Sequence, residues 1–186
     1  IEPFLLHPEQ PRKIRRPEYD RMVALGLFED ERVELLRGVI VAMAPNDPPH
    51  ASPVQRLTKR LVLALDDRAE VRVQLPIIAV DDSEPEPDLA VVPPGDYALG
   101  YPDRAYLVIE VADSSLRKDR LLKGPLYAAS GFEEYWIVNV PEQVVDPRCS
   151  FYLFEPTVRT GGPFYGLGAT ALAGLGHAGW GLGVAR

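Results

Sequence analysis

The amino-acid sequence predicts a single α/β domain, because helical patterns of apolar residues alternate with β-branched, strand-like runs. The 186 residues of the chain suit one domain with a sizeable core. Hydrophobic residues make up 46% and charged residues 25% of the chain. This composition is that of an ordinary globular protein.

The first predicted elements are a helix and a β-hairpin. Pro17 fits the first position of a helix whose apolar stripe continues to Phe28. Residues 33–43 then predict two strands joined by a turn at Arg37-Gly38.

A second helix is expected from about residue 50 to residue 68, where apolar residues recur at helical spacing. Ser52, directly before Pro53, is the predicted cap of this helix. The other strand-like runs cover residues 71–80, 87–92, 106–111, 134–140 and 151–154.

A third helix is predicted over residues 116–130. Gly131 is a typical residue just beyond a helix end. Gly124-Pro125 lies inside the pattern and should kink or divide the helix, because proline cannot donate the backbone hydrogen bond.

The composition of both ends differs from that of the domain expected over residues 17–160. Residues 1–16 are Pro-rich and basic, and we interpret them as an irregular arm that is solvated or lies on a partner, in preference to an arm that contacts DNA. Residues 161–186 are rich in Gly and Ala and form a C-terminal extension, poorly equipped to pack by itself.

Charge and cysteine content limit the function classes. A formal net charge of −7 argues against a protein that coats DNA, because such affinity depends on neutralising phosphates, but it permits a nuclease that binds DNA weakly. Cys149 is the only cysteine, which excludes an internal disulfide and a cysteine zinc cluster. His7, His50 and His177 lack metal-ligand spacing, which argues against a zinc hydrolase.

The predicted location is the cytoplasm. The single cysteine fits a reducing compartment. The apolar runs are all much shorter than a membrane span, which needs about 20 residues. The sequence also shows no pattern of a secretory leader.

Two acids stand inside apolar runs and are the main candidates for function. Asp88 precedes Leu89 to Val92, and Glu110 lies in residues 106–111. A buried carboxylate is costly unless a cation or strong donors meet it. If the two runs are antiparallel neighbours, Asp88 and Glu110 converge at one end of the sheet and form a site for a hard cation such as Mg²⁺.

Further polar residues supply the other groups that a metal-dependent phosphodiesterase needs. Glu34 lies in a strand pattern and Lys123 in the third helix, and a lysine near a scissile phosphate stabilises developing charge. Gln74 and His50 are weaker candidates, for orienting a ligand and for assisting catalysis. The structural alternative is that the acids are solvated strand residues and that Lys123 pairs with Asp119 one turn earlier.

Together these residues closely resemble the Uma-two family of restriction-endonuclease-like proteins in the PD-(D/E)XK nuclease superfamily. The resemblance covers about residues 18 to 145. The matching residues are Val33 to Ile40, Pro85 to Asp88, Glu110 to Ser115, Asp119 to Lys123, Tyr127, Gly131 and Glu134 to Val138.

The resemblance implies a mixed central β-sheet flanked by helices and a Mg²⁺-dependent DNA-cleaving site, in which Mn²⁺ is a possible substitute. Asp88 and Glu110 would be the metal ligands and Glu34 a further acid. The superfamily's lysine normally lies two residues after the second acid, where this chain has Ala112. In this family the matching cation is Lys123.

Three hypotheses follow. The leading one is an endonuclease-like phosphodiesterase in which metal-activated water attacks a DNA phosphodiester. The second is a non-catalytic binding or assembly module with the nuclease fold, and the third is hydrolysis of another phosphorylated substrate. A homo-oligomer, dimer or higher, would suit a duplex, which presents two strands to be cut.

Overall fold

The computed structural model describes residues 11–45, 47–142 and 144–146. In chain order the helices are α1 (Arg16–Ala24), α2 (Pro48–Leu65), α3 (Leu116–Lys118) and α4 (Gly124–Ala129). The strands are β1 (Val33–Leu36), β2 (Val39–Ala42), β3 (Glu70–Val73), β4 (Leu89–Val92), β5 (Leu107–Ala112), β6 (Tyr135–Asn139) and β7 (Val144–Asp146). A 3₁₀ turn, Asp66–Arg68, follows α2, and a π-helical turn, Asp119–Lys123, joins α3 to α4.

The central sheet is mixed and has the strand order β3-β4-β5-β6-β7. β5 and β6 are parallel, whereas the other neighbours are antiparallel. On one face α2 packs through Val54, Leu61 and Leu65 against β4 and β5. On the other face Tyr127 and Phe132 cover the alternate residues of the same strands. The expected mixed sheet flanked by helices is therefore confirmed.

The hairpin β1–β2 turns at Arg37-Gly38, as the sequence predicts. Arg37 has φ 52° and Gly38 has φ 79°, the positive values that a tight two-residue hairpin turn requires. A Cβ added to Gly38 would lie 2.6 Å from Lys13 Cβ, so the close approach of the N-terminal segment also requires glycine. Backbone hydrogen bonds between Leu35 and Glu84 fasten the hairpin to the segment before β4.

The second helix begins earlier than predicted, and Ser52 is not its cap. The Asp47 carboxylate accepts the His50 backbone N–H at 3.0 Å, with two prolines at the first helical positions. Asp47 lies three residues before His50 and so satisfies an N–H that Ser52, already inside the helix, cannot reach. The helix ends at Leu65 and gives way to the 3₁₀ turn.

Two other predicted elements are shorter in the structure. α1 ends at Ala24, not at Phe28, because the chain turns at Gly26 with φ 75°. The strand predicted over residues 71–80 ends at Val73, because Gln74 takes φ 50° and leaves the extended conformation.

The helix predicted over residues 116–130 is present and divided before Gly124-Pro125, and Gly131 ends it with φ 73°. The short strand β7 was not predicted. The predicted strand 151–154, the extension 161–186 and most of the N-terminal arm lie outside the described residues. Within the described part of the chain, no helix is long and apolar enough to cross a membrane.

Candidate active site

Asp88 and Glu110 come together at one end of the β4–β5 pair. The strands are antiparallel with Leu89 opposite Ile109, and extending this pairing by one residue puts Asp88 opposite Glu110. Because opposite residues project to the same face, the two side chains share one side of the sheet. Both line a cleft of about 670 Å³, including its part open to solvent. Asp88 and Glu110 therefore line the same cleft, and the antiparallel pairing of their strands is as predicted.

Three donors hold the Asp88 carboxylate. Oδ1 lies 2.8 Å from His50 Nε2 and 3.4 Å from Gln74 Nε2, and Oδ2 accepts the Val111 backbone N–H at 2.8 Å. Burial opposes ionisation of Asp88, but these donors outweigh it and lower its pKa. In return, the hydrogen bond to Asp88 raises the pKa of His50. The structure thus brings both weaker candidates, His50 and Gln74, against Asp88.

Lys123 lies between Glu110 and Glu34. Its Nζ is 2.9 Å from Glu110 Oε1 and 3.0 Å from Glu34 Oε2, and only 2% of the residue is exposed. Lys118, at the rim of the cleft, approaches the other Glu34 oxygen at 3.1 Å. Glu34 therefore reaches the site from β1 and is held by two lysines.

The environment shifts the pKa values of Glu34 and Glu110 in opposite directions. Burial opposes ionisation of Glu34, but Lys123 and Lys118 outweigh it and lower its pKa. Burial raises the pKa of Glu110 to about 8 despite Lys123. Burial alone would lower the pKa of Lys123, but Glu110 and Glu34 raise it above its usual range. Burial thus disfavours the charged form of Glu110, whereas the two lysines favour the charged form of Glu34.

The π-helical turn directs Lys123 toward the acids. Asp119, Lys123 and Tyr127 are four residues apart, and a regular α-helix would rotate such a series by about 40° at each step. The wider π turn, closed by the Gly124 N–H on the Asp119 carbonyl, covers the step from Asp119 to Lys123 and offsets the rotation of the α-helical step from Lys123 to Tyr127. A Cβ on Gly124 would lie 3.3 Å from that carbonyl oxygen, so glycine suits this position. Lys123 and Tyr127, about one α-helical turn apart, both donate to Glu110 Oε1.

Most of the chain matches the model of one protein family. A family model described as "Uma2: Putative restriction endonuclease" matches residues 16–149. The chain belongs to the Uma2 family. The matched region contains all the acids and lysines of the site and ends before the glycine-rich extension of residues 161–186.

A solved structure shares the fold of this Uma2 protein. It is described as a putative nuclease belonging to DUF820 from Anabaena variabilis ATCC 29413. The TM-score is 0.54 at 16% sequence identity, and the alignment covers 62% of this chain and 70% of the other. No curated protein matches the chain. The nuclease-like fold therefore agrees with the Uma2 membership.

Three residues of the Uma2 site were assigned no role from the sequence. Tyr127 donates its hydroxyl to Glu110 Oε1 at 2.7 Å, and burial raises its pKa well above the usual range. Asp119 is 1% exposed, lines the cleft and accepts a hydrogen bond from Ser115. Lys118 contacts Glu34. Only the four-residue spacing of Asp119, Lys123 and Tyr127 could have indicated that they act together.

The donor set suits Mg²⁺ better than a tightly caged metal. Among the described residues, no three His, Cys, Asp or Glu side chains converge on one metal position. Asp88 and Glu110 offer two carboxylates on an open cleft, and Mg²⁺ usually takes one or two carboxylates and keeps several waters. Asp119, Asp88 and Glu34 disfavour ionisation of Glu110, so the Uma2 cleft has a surplus of negative groups that a divalent cation would neutralise.

Proposed function

We propose that this protein is a Mg²⁺-dependent endonuclease-like phosphodiesterase that hydrolyses DNA, with Mn²⁺ as a possible substitute. The observation that carries the proposal is the convergence of Asp88 and Glu110 in one cleft, with Lys123 Nζ 2.9 Å from Glu110. Membership of the Uma2 family and the shared nuclease-like fold support it.

Asp88 and Glu110 would hold the metal. A bound Mg²⁺ would supply positive charge to a phosphoryl oxygen and lower the pKa of the attacking water. His50, Gln74 and the Val111 N–H keep the Asp88 carboxylate ionised and fixed in orientation. Tyr127 donates its hydroxyl to Glu110 and fixes the orientation of that carboxyl group. These donors hold both acids in place before substrate binds.

Lys123 is the proposed catalytic cation. Its buried ammonium lies beside Glu110, where it would stabilise negative charge that develops on the phosphate during in-line attack. Both oxygens of Glu34 contact lysines, so we assign Glu34 to positioning Lys123. At the cleft rim the partly exposed Lys118 is suited to contact a phosphate oxygen.

The second candidate is a non-catalytic binding or assembly module. It is favoured by the engagement of Glu110 with both Lys123 and Tyr127, which would satisfy a purely structural acid. The two candidates differ in metal binding, because a structural network has no need of a divalent ion.

Nicking of supercoiled plasmid in Mg²⁺ or Mn²⁺ tests the proposal. Asp88→Asn and Glu110→Gln should each reduce the nicking rate at least about a hundredfold, because each removes a proposed metal ligand. The control is Asp96→Asn, the same change in a loop outside the cleft, which should keep the wild-type rate.

Two results would contradict the proposal. Nicking that survives both Asp88→Asn and Glu110→Gln would show that another site performs the hydrolysis. Absence of nicking, together with no Mg²⁺ or Mn²⁺ binding to the wild type by calorimetry, would favour the non-catalytic module.

A further inference from the structure

A second groove adjoins the cleft, between α2 and the edge strand β3. Gln55, Arg56, Thr58 and Lys59 form its helical side, and Val73 and Gln74 form its other side. Gln74 also lines the cleft and approaches Asp88, so the two depressions meet at this side chain. A chain-like ligand lying in the cleft can therefore continue into the groove.

The charge of α2 contrasts with that of the whole protein. The helix contains Arg56, Lys59 and Arg60 and no acid, although the chain has a formal net charge of −7. Lys59 is exposed and lines the groove, and within the described residues it forms no salt bridge. An uncompensated lysine beside a groove favours an anionic ligand.

The open edge of β3 adds backbone donors to the groove. β3 is the outermost strand of the described sheet, and the Gln74 N–H donates to the Asp88 carbonyl on its inner side. Because hydrogen-bonding direction alternates along an antiparallel strand, the peptide groups of Val73 turn toward the open edge. Backbone N–H groups of this kind bind phosphate oxygens.

We infer that the groove between α2 and β3 binds the sugar–phosphate backbone next to the scissile phosphate. The inference rests on the proposed function and deepens it, because it assigns a place beside the cleft to the part of the DNA backbone that flanks the scissile phosphate. Lys59 contacts a phosphate that flanks the reacting one, and Gln74 lies at the junction between the two subsites.

Charge reversal on two sides of α2 tests the inference. Lys59→Glu changes a residue that lines the groove, whereas Arg60→Glu makes the same change on the same helix outside the groove lining. Binding of fluorescein-labelled single-stranded and duplex oligonucleotides of one sequence is measured by anisotropy across a KCl series, with Ca²⁺ in place of Mg²⁺. Lys59→Glu should weaken binding about tenfold and reduce the slope of log K against log salt by about one, with little change for Arg60→Glu.

Hydrolysis of bis(p-nitrophenyl) phosphate in Mn²⁺ separates the groove from the catalytic site. Lys59→Glu should leave this small-substrate rate unchanged, whereas Asp88→Asn should abolish it. Equal effects of Lys59→Glu and Arg60→Glu on oligonucleotide binding would overturn the inference, and so would no effect of either. Failure of the wild type to bind oligonucleotides while it hydrolyses the small ester would also overturn it, but would leave the proposed phosphodiester hydrolysis intact.

Discussion

Lys123 determines the charge balance of the candidate site. It is the buried cation between Glu34 and Glu110, and its removal would leave both acids in the interior without their shared partner. Truncating one member of a buried ion pair typically costs about 3–5 kcal/mol. A loss of activity in a Lys123 variant must therefore be separated from a loss of folding before it is read as a catalytic role.

Glu84 is a buried acid outside the site and makes stability depend on pH. Burial and the neighbouring Asp20 raise its pKa from 4.5 to about 7. Between these values the folded state binds the extra proton, so the free energy of unfolding should fall as pH rises from about 4.5 to 7 and then level off. Allowing for solvent screening, we expect a loss of about 1–2 kcal/mol.

Glu84→Gln should remove this loss. Urea unfolding at several pH values should show that the variant gains stability relative to wild type as pH rises to 8, whereas the two are similar near pH 4.5. Asp20→Asn should remove part of the same slope, because Asp20 helps to raise the pKa of Glu84. An unchanged slope in Glu84→Gln would show that another group causes the pH dependence.

The sequence pattern singles out Asp88 and Glu110, whereas it does not single out Tyr127, Asp119 or Lys118. Asp88 and Glu110 are conspicuous because each interrupts an apolar run. Tyr127 has the pattern of an ordinary core aromatic residue, and only the fold shows that its hydroxyl meets Glu110. The nicking experiment tests the proposed metal-binding roles of Asp88 and Glu110.

Among the elements, the π-helical turn is the one that serves the site most directly. Ala112, two residues after Glu110, is fully buried in the core, so a lysine at this position would have to displace packed apolar side chains. The turn supplies the cation from the neighbouring helical segment instead. The π turn ends directly before Gly124-Pro125, the pair that the sequence predicts to kink or divide the helix.

The boundaries of elements were harder to predict than their order. A positive φ at Gln74 ends β3, and residue type does not indicate it because glycine is the usual residue there. The α1 stripe was overextended for a different reason: Val23 and Leu27 are about half exposed in the described chain, so apolar character did not correspond to burial. Type and order of elements follow from periodicity, whereas these ends depend on local backbone geometry.

For the whole molecule, the mixed sheet and its two helical layers were predictable because pattern and family resemblance agree. The assembly of the site was less accessible, since it combines β1, α2, β4, β5 and the π turn from distant parts of the chain. Sequence spacing alone does not show which of these segments meet. The antiparallel pairing of β4 with β5 was the one long-range contact that the acids themselves suggested.

Mg²⁺ should stabilise the whole fold if Asp88 and Glu110 bind it. A ligand that binds only the folded state adds about 2.7 kcal/mol at a hundred times its Kd. For a domain of this size, that corresponds to a rise in Tm of roughly 5–10 °C. Differential scanning fluorimetry should show this rise for wild type and not for Asp88→Asn, and an equal rise in both proteins would place the metal elsewhere.

The burial of Glu34 also constrains biosynthesis. The β1–β2 hairpin is local and closes quickly, but the Glu34 carboxylate is balanced by Lys118 and Lys123, the first of which the ribosome adds 84 residues later. If the hairpin packed onto the sheet before these lysines were present, the Glu34 carboxylate would be buried without a cation. We therefore expect the hairpin to pack after the helical segment that carries the lysines has been made. The candidate site is consequently completed late, and a nascent chain released before Lys118 would lack both lysines that contact Glu34.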